Sequence, residues 1–526
     1  MAWAVPVMDA GHRSRQPAFG APRTEVLTTG PFALCGFVSD EFTASEVRPK
    51  PMRVTGSEAN WAACELRTAD LGSSRRVRRV ELMLTRAAQQ PGGKLSHVMR
   101  NPAELEGAYD LLEGGRVSAK ALCASFADAT FARSGDDEWM YAILDGTSVK
   151  VTDLTGDKGL GSIGNLAHGA RGMKVITALG VDARGVTAGL LSQVWWARTS
   201  ARKDGPDKRS KNAQRPLSEK ETRHWVTAIE ETSDRAKACG KRVWFQLDRE
   251  GDNQDILLKL NESGQDFTVR AAWDRVTEAT GEDAQRIRQR MADVASNGGY
   301  EVEVRGGASG RTPRTARMLI RAARVTLAMR PRGKGRAELG HMPVNVVWAR
   351  EEGTTPAGEK PVDWLLLTTR DVDTFKQAKE VVDGYAQRWR IEDFHRVWKS
   401  SACRVEETQL RSAEAIEVWA TMLASVAGRI ERLRLLGRKA PDQPAAIDLS
   451  DHEIRALILL KRQHRRRNEV IPNEAPSIGV ATLWIAELGG FTGKSSGGPP
   501  GAINIRRGLE VLGPAALMLQ AIEAEA

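Results

Sequence analysis

The chain is poor in cysteine. Cys35, Cys64, Cys123, Cys239 and Cys403 are scattered over 526 residues, and no two form a C-x-x-C pair. An odd, dispersed set supplies neither a zinc site nor a disulfide framework, so a reducing compartment, the cytoplasm, is expected. Long apolar runs are missing as well. No stretch reaches the ~18 residues of a membrane span, and the most apolar segment, Trp419–Gly428, is bounded by Glu417 and Arg429. The first residues lack the basic start and continuous apolar run of a secretory signal. Acidic residues are absent from Arg305 to Arg336, where ten Arg or Lys stand. There is no internal repeat.

What is present is the balance of a soluble globular chain, 41% hydrophobic and 27% charged, long enough for three or four domains. The formal net charge is +10 and the isoelectric point near 9.4, which favours a polyanionic partner. A second basic cluster, Lys461-Arg462-Gln463-His464-Arg465-Arg466-Arg467, lies near the C-terminus.

Composition and periodicity divide the chain into six stretches. Residues 1–55, rich in Pro, Gly, Ser and Thr, are expected to be a mobile, disordered tail. Residues 56–130 have a helical pattern, broken at Leu71-Gly72-Ser73-Ser74 and resumed at Arg75-Arg76-Val77-Arg78-Arg79. Within 131–263, Trp139–Leu144 is an apolar strand ending at Asp145. Strands 173–181 and 186–196 flank a hairpin turn at Asp182-Ala183-Arg184-Gly185. Ser218-Glu219-Lys220-Glu221 has capping-box form ahead of a helix of about 20 residues. Strand Arg242–Leu247 ends at Asp248, and together these elements predict a mixed sheet with a crossover. Residues 264–360 hold short strand-like runs, Gly-rich turns and the Arg-rich stretch. Residues 361–436 contain strand Trp364–Thr368 and then turn helical. After a linker at Gly437–Pro444, residues 437–526 are mostly helical, with a loop at Ser495–Pro500.

Tyr385, Arg388, Glu392 and Lys399, in YAQRWRIEDFHRVWK, stand at offsets 0, 3, 7 and 14. At about 100° per residue they fall near 0°, 300°, 340° and 320°, a polar stripe roughly 60° wide. Phe394, Ile391, Trp398 and Val397 fall on the other side, which would anchor the helix while the stripe meets a charged ligand. His395, at roughly 280°, borders the stripe and reads as structural or solvent-facing.

A carboxylate among phosphate-seeking groups suggests metal-assisted phosphoryl chemistry. Asp145 and Asp248 each end an apolar strand, where a sheet holds a carboxylate rigidly, and Glu392 comes from a helix. Three such acids can hold two hard cations about 3.5–4 Å apart, and Mg²⁺ prefers oxygen ligands. For either aspartate alone, capping of a turn is the competing reading.

YAILDGTSVKV, VWFQLDREGDNQDIL, DWLLLTTRDV and YAQRWRIEDFHRVWKSSACRVE resemble, in order, the motifs of DDE transposases of the bacterial insertion-sequence-four family. That family's tyrosine–arginine–glutamate–lysine signature, with two, three and six intervening residues, is matched by Tyr385, Arg388, Glu392 and Lys399. The likeness runs from about Trp61 to the end, includes LGSSRRVRRV, GAYDLL, QVWWAR and LWIAELGGF, and is nearest to cut-and-paste, hairpin-forming members. It implies an α/β, ribonuclease-H-like mixed-sheet catalytic core (131–263 and 361–436) with a β-rich insertion (264–360). A helical N-terminal region (56–130) would bind terminal repeats, and a helical C-terminal region (437–526) would dimerise. The 143 residues between Asp248 and Glu392 accommodate the insertion.

The resemblance also implies roles. Asp145, Asp248 and Glu392 would be the catalytic, metal-binding triad for Mg²⁺, with Mn²⁺ able to substitute. Tyr385, Arg388 and Lys399 would hold phosphates of the element's end. Trp364 would stack on an extruded base, against a reading as a core tryptophan. Arg270 would contact a phosphate, and Arg75, Arg76 and Arg79 would grip the terminal sequence, against readings as solvated side chains. Either a DNA-facing sheet or a solvated edge fits Arg305–Arg336, with Arg305, Arg324 and Arg330 on polar strand faces. Glu406 and Asp252 read as structural ion-pair partners.

The implied partners are terminal inverted repeats, target DNA and a second copy in a synaptic homodimer, with no membrane. The implied location is the cytoplasm, at the nucleoid. The implied reaction runs through nicking, hairpin formation, hairpin opening and 3′-end joining. A metal-dependent endonuclease without strand transfer, or an inactive DNA-binding inhibitor of transposition, are the rival readings. The chain departs from the family pattern at Ala272, where a second basic residue is usual, and at Ile176, often His. Its N-terminal extension and the Gly-Gly-Pro-Pro-Gly after LGGF are further departures.

Overall fold

The computed structural model describes residues 61–164, 169–198, 215–277, 285–304, 306, 311–329, 340–465, 467–494 and 498–525. The expected tail 1–55, Arg305, Arg330 and part of the Ser495–Pro500 loop lie outside them.

Five helices come first: α1 (Trp61–Glu65), α2 (Ser74–Gln89), α3 (Leu95–Val98), α4 (Pro102–Glu113) and α5 (Ala119–Ala132). The break before α2 has a local cause. Gly72 takes φ 73°, and the Ser73 hydroxyl accepts from the Arg76 N–H, an N-cap that restarts the helix. Asn101 and Ser118 cap α4 and α5 in the same way.

The strands are β1 (Trp139–Lys150), β2 (Gly161–Ser162), β3 (Arg171–Val181), β4 (Thr187–Trp196), β5 (Arg242–Leu247), β6 (Asp266–Arg270), β7 (Gly298–Val304), β8 (Arg314–Met329), β9 (Gly340–Glu351) and β10 (Asp363–Thr368). All join one sheet in the order β2-β3-β1-β5-β6-β10-β9-β8-β7, with β4 also paired to β3. The pairs β1–β5 and β5–β6 are parallel and the others antiparallel, so the sheet is mixed, as expected. Helix α6 (Thr222–Ala238) connects β4 to β5, and α7 (Gln254–Glu262) connects β5 to β6. After α8 (Ile287–Ala292), strands β7 to β9 prolong the same sheet through β10. Residues 264–360, expected as a separate β-rich insertion, therefore extend the sheet that holds β1 and β5, and β6 belongs to its parallel part.

Side chains alternate across β1. Met140, Ala142 and Leu144 enter the core beneath α6 and α7, whereas Tyr141 and Ile143 enter the core on the opposite face. In β5, Val243, Phe245 and Leu247 join the first core and Trp244 the second. The helices that follow β10 cover the second face: α9 (Phe375–Ala386), a 3₁₀ turn at 387–389, α10 (Arg390–Arg396) and a π-turn at 397–401. Next come α11 (Ala413–Lys439), α12 (Asp451–Gln463), α13 (Ile478–Leu488) and α14 (Ala502–Glu525).

Three local expectations are corrected. β1 does not end at Asp145; it continues to Lys150 because β3 pairs with it beyond the point where β5 stops. The capping box at Ser218–Glu221 does not form. Glu221 is drawn to Arg198 (Nη2 to Oε2, 2.7 Å), and α6 begins only at Thr222. The linker expected from Gly437 begins later, because α11 runs through to Lys439. A Cβ at Gly437 would stand 2.9 Å from Thr482, so glycine there lets α13 lie close against α11.

α11 is buried along most of its length and carries charges inward; Glu431 pairs within the helix with Arg434, and the three arginines reach partners on other segments. Arg429 meets Glu453 at 2.8 Å, Arg432 meets Asp448 at 2.8 Å, and Arg434 meets Asp393 at 3.0 Å. Ser425 donates to Glu65 at 2.6 Å, and Arg133 also pairs with Glu65. Buried charges persist only with such partners. These pairs tie the N-terminal helices and the C-terminal region to the helix that backs the sheet.

Candidate active site

Leu144 of β1 stands opposite Leu247 of the parallel neighbour β5. Asp145 follows on β1 and Asp248 comes directly after β5, so the two aspartates leave neighbouring strands whose backbones stand about 4.8 Å apart. By alternation both face the core opposite Leu144 and Leu247, the side on which α10 packs against β1. Glu392 lies on that helix. Sheet register thus sets Asp145 beside Asp248, and helix packing brings the element that carries Glu392 over the same face.

Their electrostatics reflect crowding. Burial, then the negative charges of Asp248 and Glu250, push the Asp145 carboxyl up to about 7, against the pull of Arg388 and of the Gly146 N–H, which donates at 2.9 Å. Burial also raises Glu392, opposed by Arg388 and reinforced by Asp248 and Asp393. Arg388 is the cation in the middle. Burial would lower it, yet Tyr385, Asp145 and Glu392 together hold its guanidinium above its ordinary value. Its Nη2 lies 2.5 Å from Glu392 Oε1.

The donor set fits a hard divalent cation. All three groups are carboxylates, and a buried cluster of like charge gains from a counter-ion. Among the described residues, however, no three acidic, histidine or cysteine side chains are arranged so that they could hold a metal ion. Glu392 is instead turned to Arg388.

The signature helix is irregular. The 3₁₀ turn overwinds it between Tyr385 and Arg388, and the π-turn underwinds it around Lys399. Arg388, Glu392 and Lys399 still share one side. Lys399 Nζ lies 3.4 Å from Thr147 Oγ1, two residues beyond Asp145 on β1, and 3.5 Å from Glu406. Phe394, Ile391, Trp398 and Val397 are fully buried, as the apolar face requires. Tyr385 departs from the stripe. It is enclosed, its ring edge-on to Trp364 with centroids 5.1 Å apart.

Trp364 is 4% exposed and belongs to the core on this face of the sheet. Arg270 is buried beside it, donating to the Asp363 carbonyl at 3.0 Å. Burial lowers Arg270, opposed by its interaction with the neighbouring Tyr385 hydroxyl. Tyr385, Trp364 and Arg270 therefore form one enclosed group at the edge of the carboxylate cluster. Arg75 is exposed on α2, Arg76 closes the preceding loop by donating to the Leu71 carbonyl at 2.9 Å, and Arg79 lies over Gly107 of α4.

Four residues have no functional role in the sequence reading, His395 among them as structural or solvent-facing. His395 Nδ1 stands 3.9 Å from Asp145 Oδ2. Burial, with Lys399 and Arg388, lowers the imidazole to about 3, so it is neutral and neither solvent-facing nor an ion-pair partner. Glu250, raised by burial and Asp248, adds negative charge beside the cluster, and Thr147 meets Lys399. Arg78 is exposed three residues after Arg75, a spacing that puts both on one helix face. Ile176, noted as a departure, packs over Gly146.

The described arginines of the Arg305–Arg336 stretch have acidic or aromatic neighbours from outside it. Arg314 pairs with Glu351 and Glu359, Arg317 with Glu352, and Arg324 with Asp373, while Arg321 lies over Trp348. Asp252 and Glu406 are partners of structural bonds, as read: Asp252 pairs with Arg275, and Glu406 accepts from the Lys150 N–H at 3.0 Å.

Two protein families match this chain. Residues 58–117, which include α1 to α4, match the family described as transposase DNA-binding. Residues 101–427, more than half of the chain and all of the elements carrying Asp145, Asp248 and Glu392, match the family described as transposase DDE domain.

Proposed function

The chain belongs to the family of transposases with a DDE domain, and from that premise we propose which reaction it performs and which residues perform it. It is a DNA transposase with a DNA-binding region ahead of its catalytic domain. The proposed reaction is cut-and-paste movement of the insertion-sequence-four type. The enzyme nicks the end of its element, the freed 3′-hydroxyl attacks the opposite strand to give a hairpin, water reopens the hairpin, and the 3′-hydroxyl joins target DNA.

The observation that most supports this reading is the register that sets Asp145 beside Asp248 under the helix carrying Glu392. Mg²⁺, or Mn²⁺ in its place, would be held by these three carboxylates and would supply positive charge to the attacking and leaving oxygens of the phosphodiester. The chain's own side chains position the DNA. Arg388 and Lys399 offer cations to the phosphates at the scissile end, and Arg388 exchanges Glu392 for phosphate as DNA arrives. Tyr385, Arg270 and Trp364 complete the end-binding group. Arg75, Arg76 and Arg79 on α2 hold the terminal inverted repeat. Such contacts act through orientation and charge stabilisation of an in-line displacement.

A homodimer, formed through the C-terminal helices, would bind two ends and cut each in trans. No helix among the described residues is long and apolar enough to cross a membrane, and we place the reaction on nucleoid DNA in the cytoplasm.

Incubation with the DNA flanking its gene and Mg²⁺ tests the assignment. A hairpin end followed by a product joined to a target plasmid is expected. Cleavage without either product would replace the reading with an endonuclease, and binding without cleavage in Mg²⁺ or Mn²⁺ with an inactive binder.

A further inference from the structure

Trp273 is 65% exposed, and it is the one exposed Phe, Trp or Tyr ring among the described residues. Its backbone is firmly held. The Ala272 and Trp273 N–H groups both donate to Asp252 Oδ2, at 2.7 and 2.9 Å. Arg275 brackets the other oxygen, its Nε and Nη2 at 2.9 and 2.5 Å from Asp252 Oδ1, and Nη2 also donates to the Asp252 carbonyl at 3.1 Å. The Asp252 side chain is fully buried. Asp252 closes the 3₁₀ turn at 249–251 that Asp248 opens, so the segment presenting Trp273 is bolted to the turn that carries a triad carboxylate. On its other side, the Ala271 N–H donates to the Leu365 carbonyl at 2.8 Å, joining the segment to the strand of Trp364.

Three arginines lie on or beside this segment, each next to an aspartate: Arg275 on Asp252, Arg286 donating to the Asp274 carbonyl at 2.7 Å, and Arg288, whose guanidinium pairs with Asp363 at 2.9 Å while its N–H donates to Asp274 Oδ1 at 3.0 Å. An indole open to solvent on a fixed backbone suits a ligand that carries flat rings, and every nucleobase presents one. Its order exists before any ligand arrives, so little is lost on stacking. Trp364, by contrast, is enclosed in the chain as it stands.

We propose that Trp273 is a stacking platform for a nucleobase of the DNA that crosses the Asp145–Asp248–Glu392 site, a contact distinct from that of Trp364. The proposal rests on the transposase reading above. Asp252 is its positioning residue, holding the indole at a fixed place relative to Asp248.

The test uses the full chain, a duplex made from the DNA flanking its gene, and 2-aminopurine substituted in turn at the bases nearest the cleaved end. Trp273→Ala, Trp273→Phe and the unaltered protein are compared for affinity, 2-aminopurine quenching and cleavage. Because the side chain is exposed, Tm is expected to be unchanged in both variants. Loss of one position's quenching and roughly tenfold weaker binding are expected for Trp273→Ala, with most of both retained in Trp273→Phe. Unchanged affinity and quenching in Trp273→Ala, with the unaltered protein cleaving normally, would overturn the platform and leave the transposase reading standing. A Trp273→Ala protein that loses self-association but keeps its quenching would overturn it in favour of a protein contact. If the unaltered protein neither binds nor cleaves the duplex, the transposase reading fails and the platform with it.

Discussion

Arg388 Nη2 reaches Glu392 Oε1 at 2.5 Å, one helical turn along the same segment. The third carboxylate of the proposed triad is thus paired with the residue four positions before it. On the proposed reading this pairing would connect DNA binding to the completeness of the carboxylate set, because a phosphate that attracts Arg388 would also release Glu392. Glu392→Gln is expected to keep the Arg388 contact as a weaker hydrogen bond, to bind end DNA within a few-fold of normal, and to lose cleavage. Arg388→Ala is expected to lose both binding strength and cleavage. Gel-shift and cleavage measurements on the same duplex check the pair of outcomes. Retained cleavage by Glu392→Gln would remove Glu392 from the triad.

A stability prediction follows from Asp145. Its carboxyl is raised by burial, Asp248 and Glu250 to about 7, against an ordinary 3.8. A carboxyl raised in the folded state binds more protons folded than unfolded between those values. Its contribution is therefore fully favourable below about 3.8 and is lost as pH rises through 7. In EDTA at pH 8 the ionised group burdens the fold by as much as ~4 kcal/mol. Asp145→Asn is expected to be inactive and more stable than the unaltered protein, with a larger gain in Tm at pH 8 than at pH 5. Equal gains at both pH values would argue against a raised carboxyl.

Much of this architecture is readable in the sequence because its signals are local. Apolar runs that stop at Asp145 and Asp248 mark the ends of the parallel pairing, and Leu71-Gly72-Ser73 announces a helix start. What is not readable depends on distant partners. β1 continues beyond Asp145 through Gly146-Thr147-Ser148, whose pairing comes from β3. Glu221 abandons its capping role for Arg198. The inward charges of α11 look like a solvated face until Glu453, Asp448 and Asp393 are brought to them by folding. His395 illustrates the same limit within the site, since its angular position on the helix placed it at a border while packing enclosed it beside Asp145.

Trp364 supplies a test of packing against recognition. It is enclosed, edge-on to Tyr385, with its indole N–H lacking an acceptor among the described residues. Trp364→Ala leaves a large cavity and is expected to lose about 3–5 kcal/mol. Trp364→Phe keeps most of the volume and removes the unpaired N–H, so a loss under ~1.5 kcal/mol is expected. Urea unfolding measures both. The folded Trp364→Phe variant then isolates the DNA step, where a normal first nick with fewer hairpins is expected; a normal hairpin yield would leave Trp364 a core residue alone.

Lys399 gives the most direct measure of phosphate contact. The π-turn places its ammonium 3.4 Å from Thr147 Oγ1 and 3.5 Å from Glu406 Oε1, at the site's edge. A partly exposed ion pair of this length contributes little to stability, so Lys399→Ala is expected to shift the unfolding midpoint only slightly. Binding should respond differently. A lysine that neutralises one phosphate releases about one counterion, and its removal lowers the slope of log K against log salt by about 1. Affinity falls most at low salt and converges with that of the unaltered protein as salt rises. Lys399→Arg keeps the charge and is expected to preserve the slope even if the altered head group slows cleavage. A slope unchanged in Lys399→Ala would mean that the ammonium serves Glu406 and the fold, and that the phosphate lies elsewhere.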